Sequence, residues 1–133
     1  IAAGEELPFT QKQIKCTGHA LELRINAEDP DRNFTPSPGK IDRLILPGGL
    51  GVRVDTHCYS GYTVSPHYDS MIAKLITYQP TREEAIATAL RALSEFEVDP
   101  IKTTIPLHQD LLRNVDFHRS KTDIHFVERL LGL

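Results

Sequence analysis

The hydrophobic period of this chain changes once, at Gln79-Pro80-Thr81, and that change limits what can fold on either side. Before it, Leu21, Leu23 and Ile25 alternate with Glu22, Arg24 and Asn26, the two-residue period of a half-buried strand. After it, Ile86, Ala89, Leu90 and Leu93 recur at helical spacing on one stripe. A strand-rich first part followed by a helical second part predicts an α+β fold rather than alternating βαβ units. The expected arrangement is an antiparallel β-sheet of sequential hairpins in the first part, with packed helices of the second part on one side of it.

Turn and cap residues refine this division. Ile1-Ala2-Ala3-Gly4 reads as the last turn of a preceding helix with a glycine stop, followed by a polar connector from Glu5 to Lys15. The chain thus divides into a helix end and connector at 1–15 and a domain at 16–133, and reads as an excised piece of a longer protein. Asp29-Pro30-Asp31 ends the first strand, and Pro36, Pro38 and Gly39 give the stretch from Asn33 to Lys40 the signature of an ordered loop. Ile41 to Leu46 is expected as a second strand and Val52 to His57 as a third. Gly61 to Pro66 is a short extended piece, and Ser70 to Tyr78 another strand, closed by Gln79-Pro80. Thr81-Arg82-Glu83-Glu84 is a capping box opening a helix that should end near Phe96, where Glu97-Val98-Asp99-Pro100 forces an exit. Pro106 falls in the first turn of a helix carrying Leu107, Leu111 and Leu112. A last helix is expected to open at Thr122-Asp123, to place Ile124, Val127 and Leu131 on one face, and to stop at Gly132.

Composition narrows the function classes. With 133 residues the chain matches one domain, able to bury about two-thirds of its unfolded surface. A net charge of -3 with interspersed signs gives no field suited to nucleic acid or an anionic membrane. No apolar run approaches a membrane span and no signal-peptide pattern opens the chain, so a cytoplasmic protein is the default, with plastid or mitochondrial residence left open. Cys16 and Cys58 lack any CxxC or zinc spacing and read as reduced thiols. His57 and Cys58 are expected on opposite faces of a strand with His67 in a separate loop, so no metal site is expected.

The chemistry concentrates in Pro47-Gly48-Gly49-Leu50-Gly51-Val52-Arg53-Val54-Asp55-Thr56-His57. Val52 and Val54 alternate with Arg53 and Asp55, so the valines face the core and the Arg53 guanidinium faces away, where it can meet an anion. The glycines strip side chains from the approach. They are not a phosphate cradle, since a strand rather than a helix follows and no GK[ST] is present. On the residues alone, Arg53 is either an anion-binding group or one half of an ion pair with Asp55, Asp69 or another carboxylate. Tyr68 and Asp69 are either a loop-packing and capping pair or ligand contacts, and Asp69 is a candidate to orient an arginine. Lys74 reads as a snorkelling stem. Glu22, Arg24 and Asn26 share a polar strand face that would fix this domain against a neighbour.

Taken with Arg24-Ile25-Asn26-Ala27-Glu28-Asp29-Pro30, Ser37-Pro38-Gly39-Lys40-Ile41 and Tyr68-Asp69-Ser70-Met71-Ile72-Ala73-Lys74-Leu75, the glycine–arginine segment closely resembles the C-terminal domain of biotin carboxylase, from end to end of the chain. The resemblance implies a biotin carboxylase C-terminal domain-like fold and an ATP-dependent ligase as the parent. That enzyme activates bicarbonate with ATP and carboxylates biotin on its carrier protein. In that family the arginine of the matching Gly-Val-Arg motif lines the active site and binds bicarbonate and the biotin ureido group, so the resemblance makes Arg53 the catalytic and substrate-binding residue. Tyr68 and Asp69 would stand behind it. A guanidinium suits the role because its planar fork matches planar oxygen groups and stays charged.

The same resemblance implies that ATP and Mg2+ are held by upstream domains. The partners would be those domains, the biotin carboxyl carrier protein, a carboxyltransferase and a second copy in a homodimer, with Arg82 and its helix near the dimer contact. Arg24 to Pro30 and Ile101-Lys102-Thr103-Thr104 look most like acetyl-CoA carboxylase, which serves fatty-acid biosynthesis. The alternatives are the equivalent domain of a propionyl-CoA, methylcrotonyl-CoA or pyruvate carboxylase, or a non-catalytic module for dimerisation and carrier docking. No Ala-Met-Lys-Met motif is present, so this chain is not expected to carry biotin, and by itself it is expected to be inactive.

Overall fold

The computed structural model describes residues 1–132. In chain order it contains β1 (His19–Asn26), β2 (Glu28–Asp29), β3 (Thr35–Pro36), β4 (Gly39–Lys40), β5 (Arg43–Ile45), β6 (Val52–Thr56), β7 (Thr63–Val64), β8 (Met71–Gln79), α1 (Arg82–Glu95), β9 (Glu97–Asp99), α2 (Ile105–Arg113), α3 (Val115–His118) and α4 (Phe126–Leu131). Short 3-10 turns occupy Gln11–Gln13 and Pro30–Arg32. Apart from β9, the strands precede α1 and the α-helices follow Gln79, as the change of period predicts, and the fold is α+β. Residues 1–20 are exposed throughout, and Gly4 closes a turn by donating to the Ile1 carbonyl at 3.0 Å with φ at 85°.

The main sheet is antiparallel with β8 in its centre, in the order β1-β8-β6. Leu75 of β8 lies opposite Leu23 on one side and Val54 on the other. Sequential hairpins do not describe this order. β8 takes the centre because its first half is apolar on both faces, with Ile72 and Ala73 both buried, and a central strand is the place for such a segment. The expected second strand survives only as β5, outside the main sheet. It pairs with β9, which the sequence suggested only as an exit, and Arg43 Nε reaches Glu97 Oε2 at 2.9 Å across that pair. At the middle of the pair Leu44 faces Val98, both packed against the core, and the exposed charge pair lies at its edge.

Helix α1 covers the inner face. Ala85, Ile86, Ala89, Ala92 and Leu93 are its buried residues, and the alanines let its backbone come close enough for the Thr77 hydroxyl to donate to the Ala85 carbonyl at 3.2 Å. The core they share includes Ile25, Ile41, Leu75 and Leu112, all essentially inaccessible. The capping box is formed in full: Glu84 N donates to Thr81 Oγ1 at 3.3 Å and Thr81 N to Glu84 Oε2 at 3.1 Å. Thr81→Ala is expected to cost about 1 kcal/mol of stability, read as a lower urea midpoint, because the Glu84 amide loses its acceptor and the Glu84 carboxylate its hydroxyl donor.

The C-terminal expectations need correction. The last helix begins at Phe126 rather than at Thr122-Asp123, buries no residue, and leaves Ile124 89% exposed. Asp123 accepts from the His125 amide at 2.9 Å, so its carboxylate holds the turn before the helix instead of capping it. Gly132 does end α4, at φ 70°. Among the described residues, no helix is long and apolar enough to cross a membrane.

Candidate functional site

Two backbone hydrogen bonds fasten the glycine turn to the sheet. Val52 N donates to Gly49 O at 3.2 Å, and Tyr78 N donates to Gly51 O at 2.9 Å. Gly51 sits at φ 73°, where a Cβ would overlap the Tyr78 carbonyl and lie 2.6 Å from Gln79 Nε2. Arg91 of α1 braces the turn from the other side, its Nη2 donating to Gly48 O at 3.1 Å while Nη1 pairs with Glu95 at 2.7 Å. Nothing in the local sequence pattern points to Arg91, whose role depends on the crossing of α1 over the turn.

From that turn β6 runs with the alternation the sequence predicts: Val52 and Val54 half-buried, Arg53 and Asp55 outward. The Arg53 side chain is 70% exposed and grips Asp55 in a two-point fork, Nε to Oδ1 and Nη2 to Oδ2, each 2.8 Å. Chiefly through these hydrogen bonds the guanidinium is pushed further above its usual pKa and the Asp55 carboxyl below its own. Both groups therefore stay charged at neutral pH. No residue among those described bonds Nη1.

The outward face of the sheet is a chequerboard of charge. Lys74 of β8 lies in register between Arg24 of β1 and Asp55 of β6, and its Nζ is 3.7 Å from Glu22. Asp69 accepts from the Met71 amide at 2.7 Å and stands 3.8 Å from Arg24 Nη2. It therefore faces an arginine, but Arg24 and not Arg53. Tyr68 is 85% exposed and packs against little, so loop packing does not account for it. It lines, with Asp69, His57 and Tyr62, a hollow of about 220 Å³. A second hollow of about 210 Å³ runs along Asp55, Thr56, His57 and Lys74. A larger one of about 290 Å³ lies elsewhere, walled by Asp29, Asp31 and Asp110 with Lys102. Its excess of carboxylates opposes an anion, so the Arg53 face is the better candidate despite its smaller hollows.

The polar group expected at Glu22, Arg24 and Asn26 is divided. Glu22 and Arg24 turn outward, whereas Asn26 is half-buried where β1 meets α2. There Asn26 N donates to Thr104 Oγ1 at 3.0 Å, Thr104 Oγ1 to Arg24 O at 3.2 Å, and His108 Nε2 lies 2.8 Å from the same carbonyl, as a donor. Thr104 and His108, four residues apart on one helix face, are the signal that sequence reasoning passed over. Burial pushes the His108 pKa down, partly offset by its bond to Arg24. The unfolded chain thus takes up a proton near the usual histidine pKa while the folded one resists. Stability should be full above that pH and fall as pH drops through it. His108→Gln is expected to flatten this slope, measured by urea unfolding at pH 7.5 and pH 5.5.

Arg82 is bound within the domain, Nη2 donating to Phe117 O at 2.8 Å and its guanidinium 4.8 Å from the Phe117 ring centre. His57 and Cys58 do not take opposite faces. β6 ends at Thr56, whose hydroxyl accepts from Cys58 N at 3.0 Å, and the turn brings Cys58 Sγ to 3.6 Å from His57 Nε2. Burial raises the Cys58 thiol pKa, which favours the unreactive thiol. Among the described residues, no three His, Cys, Asp or Glu side chains gather as a metal site.

The family described as "Biotin carboxylase C-terminal domain" matches residues 22–129. Biotin carboxylase of Haemophilus influenzae is 59% identical over 133 residues, which is 100% of this chain and 30% of that protein. A pyruvate carboxylase subunit from Methanothermobacter thermautotrophicus is 52% identical over 128 residues, 96% of this chain and 26% of that protein. The biotin carboxylase domain dimer of Hydrogenobacter thermophilus 2-oxoglutarate carboxylase, solved with MgADP, ADP and bicarbonate, superposes with a TM-score of 0.93 at 43% identity, covering 97% of this chain and 28% of that one. The chain spans less than a third of the length of each relative.

Proposed function

The chain belongs to the biotin carboxylase C-terminal domain family, and from that premise we propose that it supplies the bicarbonate- and biotin-facing wall of an ATP-dependent biotin carboxylase, with Arg53 as the group that meets substrate. The observation that carries this reading is the Arg53 guanidinium itself, outward, 70% exposed and with its Nη1 bonded by none of the described residues. Bicarbonate and the ureido group of biotin both present planar oxygens, and both gain negative charge as the reaction proceeds. A forked donor fixed in advance stabilises that charge without reorganising at the moment of reaction. Lysine would bring a point charge without the second in-plane donor.

ATP supplies the driving force of the parent reaction. On this reading ATP and Mg2+ would be held by upstream domains of the parent enzyme. This chain's own residues bind and orient the acceptor side. Asp69 keeps Arg24 engaged, and Tyr68 edges the hollow next to Arg53's partner strand. We assign Tyr68 and Asp69 supporting rather than direct contact. The parent would work on a biotin carboxyl carrier protein, with a carboxyltransferase and as a homodimer. The 2-oxoglutarate carboxylase relative, solved as a dimer, supports the last point.

Within this class we favour the biotin carboxylase of an acetyl-CoA carboxylase, serving fatty-acid biosynthesis, on Arg24 to Pro30 and Ile101 to Thr104. Relatives named for pyruvate and 2-oxoglutarate are also similar, and 2-oxoglutarate is an acceptor that the sequence alone does not suggest. The experiment is to assay the complete enzyme for bicarbonate- and ATP-dependent carboxylation of biotinylated carrier. Acceptor choice is then read by adding carboxyltransferases for acetyl-CoA, pyruvate or 2-oxoglutarate. No carboxylation of carrier would end the proposal, and transfer only to a 2-oxo acid would end its acetyl-CoA form.

A further inference from the structure

We infer that Asp55 is the positioning residue of this site, holding the Arg53 guanidinium by its Nε–Nη2 edge so that the Nη1–Nη2 edge is presented to the anion. This rests on the reading of Arg53 given above. Arg53 and Asp55 are two apart on β6, so their side chains leave the same face of the strand. The fork between them is nearly symmetric, 2.8 Å at each contact. It uses one of the two edges on which a guanidinium can bind a planar oxygen pair. The edge that remains points out of the pair, and none of the described residues bonds Nη1.

Stability does not explain the fork. Asp55 is partly exposed and Arg53 largely so, and exposed pairs of this kind contribute little to folding. What the pair does is restrict a long side chain that touches no other polar partner among the described residues. Without Asp55, the guanidinium would sample the rotamers open to an exposed arginine, and the two-point geometry would form only in a fraction of encounters. Asp55 also lines the hollow beside Thr56 and His57. Lys74, which faces Asp55 across the β6–β8 pair, is within 3.7 Å of Glu22 and attracts the aspartate only at a distance, so the hydrogen bonds of Asp55 go to Arg53.

The test is made in the complete biotin carboxylase that carries this chain, with Asp55→Ala, Asp55→Glu, Arg53→Ala and the double alanine variant. Asp55→Ala is expected to lower kcat about tenfold with the KM for bicarbonate changed much less, since Arg53 keeps its charge and loses its fixed geometry. Asp55→Glu, which keeps both acceptor oxygens, should recover most of that loss. Asp55→Ala should add nothing in the Arg53→Ala background, because the aspartate acts only through the arginine. An Asp55→Ala enzyme with unchanged kcat and a lower bicarbonate KM would overturn the inference, for the carboxylate would then be merely a competitor of the anion. So would a loss that persists undiminished without Arg53. If Arg53→Ala itself turns over normally, the underlying reading of the site falls, whereas a crippled Arg53→Ala beside a normal Asp55→Ala removes the role of Asp55 alone.

Discussion

Arg53→Ala in the complete biotin carboxylase is expected to lower bicarbonate-dependent carboxylation about a hundredfold or more, the scale lost when a preorganised charge stabiliser is removed. A hundredfold corresponds to about 2.7 kcal/mol of barrier. The fold should not notice. The side chain is 70% exposed and its single ion pair lies at the surface, so the unfolding midpoint and the oligomeric mass should stay as in the wild type. Arg53→Lys is expected to recover little, because an ammonium keeps the charge but not the planar pair of donors. Initial rates with carrier protein, run beside sedimentation of the same samples, read both quantities. Unchanged rates together with a monomeric enzyme would instead favour the alternative of an assembly module.

Much of the architecture is written in side-chain period. Leu21 to Ile25 and Val52 to Val54 alternate because one face of each strand meets α1, and the Thr81–Glu84 box declares the helix start through local hydrogen bonds alone. What local pattern does not encode is partner choice. β5 and β9 are 3 residues each, too short for a period, and they form because Leu44 and Val98 meet across them against the core. β8 becomes central because of how much apolar surface it has on both faces, a comparison among strands that no window along the chain makes. At the C-terminus the spacing of Ile124, Val127 and Leu131 suggested a packed face, yet α4 is 6 residues long and buries none. The site follows the same division. That Arg53 points outward was legible from alternation, and that Asp55 could pair with it was one of several options. Which carboxylate serves which arginine was settled only by geometry: Asp55 with Arg53, and Asp69 with Arg24.

Gly51→Ala is expected to destabilise the domain by about 3 kcal/mol or more, the range of a strained backbone combined with an overlap that only backbone can relieve. Two costs add at this position. At φ 73° an alanine is strained whatever space surrounds it, and its Cβ would overlap the carbonyl of Tyr78 and crowd Gln79 Nε2 at 2.6 Å. The side-chain amide can swing away, but the carbonyl cannot, since it belongs to the central strand. Relief requires β6 to draw back from β8, which breaks the 2.9 Å bond from Tyr78 N to Gly51 O. Gly48→Ala is the matched control, because a Cβ there meets nothing within 4 Å and should change stability by no more than about 0.5 kcal/mol. Urea unfolding of the two variants reads the difference directly. Equal midpoints would mean that the turn is not fastened to β8 as described. Because Arg53 leaves the sheet two residues beyond Gly51, any Gly51→Ala enzyme that still folds should also lose rate. Gly48→Ala should not, and that contrast ties the close backbone approach to the placement of the guanidinium rather than to glycine content in the loop.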